Sequence, residues 1–233
     1  MVSDTILVVD DEKEIADLVE IHLVSDGFTV KKAYSAVEGL KILEQEDVKL
    51  VILDIMMPGM DGIEMCKEIR KDSAVPIIFL SAKSADIDKI VGLGAGADDY
   101  VSKPFNPLEL MARVKSQLRR YTQLNPKKKE KFNEAQVELE NLLIQKENHR
   151  VVSYGKEVRL TPIEFDILFL LASNLGRVFS TDEIFERVWN EKMFEANNTV
   201  MVHIRRIREK IELDPRNAEI IKTVWGVGYK IDK

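Results

Sequence analysis

The chain has 233 residues, 45% hydrophobic and 32% charged, with a formal net charge of −6 and one cysteine. That length exceeds one typical domain and falls short of three, so two globular domains are expected. No apolar run approaches the ~18 residues needed to cross a bilayer, and Cys66 alone can form no internal disulfide, so a cytoplasmic address without membrane insertion is the expectation.

The first apolar run, residues 6–9, follows no basic leader and ends at Asp10-Asp11, so it reads as a strand and not a signal peptide. Further short β-branched runs at residues 29–33, 50–53, 77–81 and 100–101 alternate with amphipathic stretches at 15–23, 63–69, 87–93 and 107–120. Runs apolar on both faces suit central parallel strands covered by crossover helices. The pattern predicts a doubly wound α/β domain with a five-stranded parallel sheet over residues 1–121. Cys66 falls in a helical run, as a small buried apolar residue.

Beyond residue 121 the periodicity fails. Asn125-Pro126-Lys127-Lys128-Lys129-Glu130-Lys131 is polar and proline-marked, predicting a solvated linker over 122–133 and a second domain over 134–233. Residues 1–121 carry 22 acidic and 15 basic side chains against 17 and 15 in residues 134–233, so most of the excess acid lies in the first domain.

The second domain opens with alternating segments at 137–145 and 150–160, read as strands with turns at Glu147-Asn148 and Tyr154-Gly155. Thr161-Pro162-Ile163-Glu164 has the form of an N-cap with proline at the first helical position and an acid at the third, opening an apolar helix to about residue 174. Ser180-Thr181-Asp182-Glu183 starts a second helix to residue 189, and a third runs from 198 or 199 to about 211. A hairpin follows, 220–224 and 229–231, around Trp225-Gly226-Val227-Gly228.

Ligands of doubly wound sheets bind where strands end. Asp10 and Asp11 follow the first strand and Asp54 ends the third, which places three carboxylates on one edge. Such a cluster repels itself, and a hard cation such as Mg²⁺ relieves it. Ser81 and Lys103, ending the fourth and fifth strands, add a hydroxyl and an ammonium able to hold phosphoryl oxygens. Single acids at strand ends also cap helices, but that reading does not account for all five groups at one edge. Lys103-Pro104 suits a tight turn, with a cis peptide as one form of it.

The runs Val8-Val9-Asp10-Asp11-Glu12, Leu53-Asp54-Ile55-Met56-Met57-Pro58-Gly59-Met60-Asp61-Gly62, Ser81-Ala82-Lys83, Gly96-Ala97-Asp98-Asp99-Tyr100 and Lys103-Pro104-Phe105 resemble the signature of receiver domains. The resemblance implies a flavodoxin-like fold and Asp54 as acceptor of phosphate from a sensor histidine kinase. It also implies Mg²⁺ on Asp11, Asp54 and the Met56 carbonyl, with Asp10 in support. Ser81 and Tyr100 would form a switch, the hydroxyl swinging toward phosphate as the ring turns inward. A phosphoryl group adds about −1.5 to −2 charge to an acidic pocket, so these partners must move to meet it.

Between residues 86 and 120, Lys89, Asp98, Asp99, Glu109, Arg113 and Arg120 alternate in sign among Ile90, Leu93 and Leu110, a pattern able to set the register of a symmetric dimer. The stretch resembles the OmpR/PhoB subgroup, whose activated receivers dimerise through this face. The implied pairs between subunits are Lys89 with Glu109, Asp98 with Arg120, and Asp99 with Arg113.

In the third helix of the second domain, Val200, Ile204, Ile207 and Ile211 share one face, and His203, Arg205, Arg206, Arg208 and Lys210 are read as the other. A basic helix face following a shorter helix and preceding a hairpin has the order of a winged helix-turn-helix. Leu160-Thr161-Pro162-Ile163-Glu164-Phe165, residues 198–210 and Thr223-Val224-Trp225-Gly226-Val227-Gly228-Tyr229 are similar to OmpR/PhoB effector domains. This implies base or phosphate contacts from Val202, His203, Arg205, Arg206 and Arg208, with Thr223 and the wing near the minor groove of promoter DNA. RNA polymerase is a further candidate partner. Family wings often carry arginine where this chain has Trp225, which is expected to pack under the wing instead. Residues 14–20 and 222–230 resemble regulators of vancomycin-resistance genes.

Two other functions fit parts of this pattern. Aspartyl-phosphate phosphatases place a general acid two residues after the nucleophile, where this chain has Met56, so turnover as an enzyme is not expected. Some winged helices bind protein, but Arg205, Arg206 and Arg208 favour DNA.

Overall fold

The computed structural model describes residues 4–81, 94–123, 136–189 and 197–232. The expected helix at 87–93, Lys83, Lys89 and nearly all of the linker lie outside them. The chain divides into two units, Met1–Thr122 and Gln123–Lys233. Among the described residues no helix is long and apolar enough to cross a membrane.

In the first unit, strands β1 (Thr5–Val9), β2 (Thr29–Ala33), β3 (Val48–Asp54), β4 (Ile77–Ser81) and β5 (Asp99–Ser102) form one sheet in the order β2-β1-β3-β4-β5, with every pairing parallel. The apolar runs of β1, β3 and β4 are buried throughout because helices cover both faces. Lys31 and Lys32 mark β2 as an edge; their ammonium groups meet Glu46, and Asp17 with Glu20. Among the described residues, helices α1 (Lys13–Ser25), α2 (Ala36–Gln45), α3 (Gly62–Asp72) and α4 (Pro107–Gln123) accompany the sheet; α4 runs two residues into the segment expected as linker. Asp61 caps α3 by accepting from Glu64 N–H at 2.7 Å, while Glu64 reaches back to Asp61 N–H. This box fixes the chain direction just beyond Asp54.

In the second unit, β6 (Gln136–Leu139), β7 (Leu142–Gln145), β8 (Arg150–Ser153) and β9 (Lys156–Val158) form an antiparallel sheet. Residues 137–145 are thus two strands and not one, with an additional turn at Glu140-Asn141 that carries neither glycine nor proline to announce it. At the β8–β9 turn Tyr154 and Gly155 both have positive φ, 47° and 75°, as a two-residue hairpin of this hand requires.

Helices α5 (Pro162–Ala172), α6 (Thr181–Trp189) and α7 (Asn197–Ile211) follow, then the hairpin β10 (Ile221–Val224) and β11 (Gly228–Ile231). Apolar residues on several sides of α5, among them Phe165, Ile167, Leu168 and Leu171, are buried, as for a helix at the centre of a core. The hairpin is mounted on Phe179, which exchanges two 2.9 Å backbone hydrogen bonds with Tyr229. A Cβ on Gly228 would lie 1.9 Å from the Phe179 carbonyl oxygen, so only glycine permits this approach.

Candidate phosphoacceptor pocket and nucleic-acid interface

The sheet order changes direction between β1 and β3, and their carboxyl ends are level, Val9 pairing with Leu53. The residues that follow, Asp10 and Asp54, therefore lie side by side at the switch point of the sheet. Carboxylate oxygens of Asp10, Asp11 and Asp54 fall within 4.8 Å of one another, Asp10 and Asp54 buried and Asp11 exposed. Gly62 lies against the acceptor strand: its N–H donates to Ile55 O, and a Cβ there would be 2.0 Å from the Asp54 carbonyl oxygen. The sequence motif includes this glycine, but its steric role shows only in three dimensions.

Lys103 crosses the pocket. Its Nζ lies 2.8 Å from Asp10 Oδ2, 2.9 Å from Asp54 Oδ1 and 3.4 Å from Glu12 Oε1. The Lys103–Pro104 peptide is cis. Burial pushes the Asp10 carboxyl above its ordinary value, against the opposing pull of Lys103. Burial also disfavours the Lys103 ammonium, but its hydrogen bonds to Asp10 and Asp54 outweigh this and raise its pKa overall. The pocket thus holds a permanent cation between two crowded carboxylates, with Asp11 facing solvent. Three oxygen ligands, one accessible, fit a hard divalent cation that keeps water or phosphate in its remaining positions.

Ser81, at the end of β4, is buried, and Lys103 N–H donates to its carbonyl at 2.6 Å. Tyr100 in β5 is half-buried opposite Phe79. The Met56 side chain is exposed, leaving its carbonyl as the group by which it could serve a cation.

On the expected dimer face one residue is corrected. Asp98 is fully buried and turned inward, its Oδ2 lying 2.8 Å from Arg70 Nη2 and accepting from Ile77 N–H at 3.0 Å. Arg70 supplies the counter-charge, so within this chain the Asp98 carboxylate faces inward and not onto the expected dimer face. Asp99 is bound by Arg113 Nη1 at 3.0 Å, and Arg113 also meets Glu109. Arg120 is half-buried, and Lys89 lies outside the described residues.

In α7 the expected apolar face, Val200, Ile204, Ile207 and Ile211, is buried. Two residues assigned to the opposite face are corrected. His203 is fully buried, its ring 5.5 Å from that of Trp189, because three residues after Val200 and one before Ile204 places it beside the core stripe. Arg206 is buried too: its Nη2 lies 2.9 Å from Oε1 of Glu164, a fully buried carboxylate whose Oε2 meets Lys210 Nζ at 2.6 Å and Thr161 N–H at 2.8 Å. Burial would raise the Glu164 pKa, but the Arg206 and Lys210 charges hold it down to about 2. Arg206 and Lys210 therefore fasten α7 to the start of α5.

What α7 offers outward is Met201, Arg205 and Glu209, with half-buried Val202, Arg208 and Lys210. The Arg205 side chain is 81% exposed and pairs along the helix with Glu209 at 3.0 Å. Arg208 donates through Nη2 to Ile221 O at 2.7 Å and Thr223 Oγ1 at 2.8 Å, with its guanidinium 5.7 Å from the Tyr229 ring centre. It thereby ties the helix to the hairpin. Trp225 does not pack under the wing: it is 90% exposed at the tip.

Two family models match, the response regulator receiver domain over residues 6–115 and the C-terminal domain of transcriptional regulatory proteins over residues 155–231. The chain is 50% identical to the regulatory protein VanRc of Enterococcus gallinarum and 48% identical to VanR of Enterococcus faecium, in each case over 99% of this chain and 100% of the relative. Its structure is similar to that of DrrB, a Thermotoga maritima OmpR/PhoB homologue, with a TM-score of 0.51 and 35% identity over the whole of both chains. The chain thus belongs to the OmpR/PhoB family of two-component response regulators, transcription regulators that depend on phosphorylation, and within it is VanR-like.

Proposed function

We propose that Asp54 is the phosphate acceptor, that a sensor histidine kinase supplies the phosphoryl group, and that the phosphorylated chain binds promoter DNA as a dimer in the cytoplasm. The observation that carries the first step is Lys103 bridging Asp10 and Asp54 beside exposed Asp11. An Asp54 carboxylate oxygen attacks phosphorus, a P–O bond forms, and the P–N bond to the kinase histidine breaks. The kinase imidazole leaves as the neutral ring when its other nitrogen already carries a proton, so the transfer draws no proton from the pocket. Mg²⁺, held by Asp10, Asp11, Asp54 and the Met56 carbonyl, would neutralise phosphoryl oxygens. Lys103 is already within reach of Asp54 and shifts its hydrogen bond from carboxylate to phosphoryl oxygen. The Ser81 hydroxyl takes another oxygen, and Tyr100 responds to its movement. Met56 stands where phosphatases carry a general acid, which supports a phosphate that stays on the protein.

At the dimer face, Asp99 and Arg113 meet within one chain, so pairing across a two-fold axis would exchange existing partners. Lys89, Glu109 and Arg120 complete the proposed contact. For DNA, Val202, Arg205, Arg208 and Thr223 are the proposed contacts, and RNA polymerase is proposed as a further partner.

Incubation with a small-molecule phosphoryl donor and Mg²⁺ tests the reading. Wild type gains one phosphoryl group by intact mass, and Asp54→Asn gains none. Undiminished uptake by Asp54→Asn removes Asp54 from its role. Retention on duplex DNA that falls steeply with salt is expected of the second unit, and failure to be retained at low salt overturns the DNA reading.

A further inference from the structure

The turn between β7 and β8 and the end of β9 border a cavity of about 480 Å³, with His149, Arg150, Glu157, Val158, Arg159 and Leu160 in its lining. That volume falls within the roughly 300–1,000 Å³ of small-molecule sites. The strand register explains its walls. Val151 pairs with Val158 at the end of the β8–β9 ladder, so one step further out Arg150 and Arg159 stand opposite one another where the strands part. Two guanidinium groups on one concave surface are suited to grip an oxyanion through paired N–H groups. Glu157 already meets Arg150, but at 3.5 Å and between exposed side chains, a contact of little strength.

Charge and apolar surface are both present. Residues 145–160 hold Lys146, Arg150, Lys156 and Arg159 against Glu147 and Glu157, an excess of two positive charges, whereas residues 134–233 as a whole carry 17 acidic and 15 basic side chains. Val158 and Leu160 are half-buried against the core. The His149 ring lies 4.2 Å from that of Phe165, and its backbone is held at φ 48°, a conformation few residues with a side chain adopt. Burial, and after it the Lys146 charge, lowers the His149 pKa to about 4, so near neutral pH the ring adds a flat uncharged surface.

We propose that this cavity binds a small organic anion, a carboxylate, phosphate or phosphonate group carried on an apolar body of about the size of a ring. The anionic group takes the Arg150 and Arg159 guanidiniums, displacing Glu157 from Arg150, and the body lies against His149, Val158 and Leu160. The site belongs to the second unit, whereas the phosphoacceptor pocket belongs to the first, and it does not depend on the DNA reading.

Phenylphosphonate, which transfers no phosphoryl group, tests this on the full-length chain without divalent cation. The three histidines are His22, His149 and His203, so the imidazole carbon–proton spectrum is simple, and His149→Asn identifies the His149 signals. At neutral pH and constant ionic strength, phenylphosphonate is expected to move the His149 signals saturably, with a dissociation constant on the order of a millimolar, and to leave those of His22 and His203 in place. Methylphosphonate, lacking the ring, is expected to bind about tenfold more weakly. Arg150→Gln and Arg159→Gln are each expected to keep the melting temperature and weaken binding about tenfold, with Arg150→Lys, which keeps the charge and loses the fork, in between. Glu157→Gln frees Arg150 and is expected to tighten binding about threefold, whereas Glu147→Gln, the same charge change outside the lining, leaves it unaltered.

His149 signals that stay in place at phenylphosphonate concentrations about tenfold above that constant overturn the inference. Equal binding of methylphosphonate or inorganic phosphate reduces the cavity to an ion site and overturns the organic ligand. Equal tightening by Glu147→Gln and Glu157→Gln assigns the binding to net charge, and movement of His149 by polyglutamate but not by phenylphosphonate assigns the surface to an acidic protein; each overturns the inference. None of these outcomes bears on phosphorylation of Asp54 or retention on DNA.

Discussion

Replacing Glu164 with glutamine separates the two roles open to the basic residues of α7. Glu164 is fully buried between Arg206 and Lys210, and Thr161 N–H is its third partner. Burial alone would raise its pKa, but the two cations bring it from 4.5 to about 2. Because the folded value lies below the unfolded one, the stability it contributes is complete above about pH 4.5 and is lost as pH falls through about 2. That difference corresponds to about 3 kcal/mol, in the range of the roughly 3–5 kcal/mol that follows removal of one partner from a buried ion pair. Lys210, with its side chain 31% exposed, can turn to solvent; Arg206, at 9%, cannot without moving α7. Both tryptophans belong to the second unit, so urea unfolding of the full chain followed by tryptophan fluorescence reads this unit alone. Glu164→Gln is expected to lose about 3 kcal/mol near neutral pH and to flatten the acid limb between about pH 4.5 and 2. Replacing Arg206 with methionine in the same chain is expected to recover most of the loss, because no buried cation is then left behind. A Glu164→Gln protein that unfolds within about 0.5 kcal/mol of wild type would refute the assignment of Arg206 and Lys210 to structure.

Arg205→Ala and Arg206→Ala should then differ in kind. Well below the melting transition, Arg205→Ala is expected to reduce duplex affinity about tenfold and the salt slope by about one, whereas Arg206→Ala lowers the melting temperature and keeps the slope; equal losses of slope would place both on DNA. His149 gives a second acid limb. Its ring packs 4.2 Å from that of Phe165, and burial, with the nearby Lys146 charge, lowers its pKa from 6.5 to about 4. The folded state prefers the neutral ring, so stability is complete above about pH 6.5 and declines as pH falls toward about 4. His149→Asn, which suits the positive φ of 48°, is expected to remove that decline from the fluorescence-monitored urea midpoints; an unchanged decline would assign it elsewhere.

The phosphoacceptor pocket was legible because strand ends fix position. Once the apolar runs are ordered into a parallel sheet, a residue following a strand has one place to be, and Asp10, Asp54, Ser81 and Lys103 fall there together. The sheet as a whole was readable for the same reason, since runs such as residues 6–9 and 77–81 are apolar on both faces. The extra turn at Glu140-Asn141 is marked in the sequence only by two adjacent polar residues that break the alternation, without the glycine that marks the turn at Tyr154-Gly155.

Helix faces obey a weaker rule, and there the reading of α7 divided. The 3.6-residue period separated Val200, Ile204, Ile207 and Ile211 correctly, but a basic residue flanking an apolar stripe can turn inward or outward according to whether a carboxylate waits inside. For Arg206 that carboxylate is Glu164, 42 residues earlier and at the third position of another helix, where an acid already has a local explanation as a capping residue. The same ambiguity governed Asp98, whose partner Arg70 lies on α3. In both cases the charged side chain that looked like part of an outer surface is satisfied by a distant buried partner of opposite sign. A lone inward charge would cost several kcal/mol, so each such residue in the sequence implies either solvent or a counter-ion, and only the tertiary structure says which. Among the described residues Arg205 pairs with Glu209 on its own helix, an exposed i,i+4 contact worth about 0.3–0.5 kcal/mol. That weak tie is what leaves its guanidinium available to exchange Glu209 for a phosphate or a guanine.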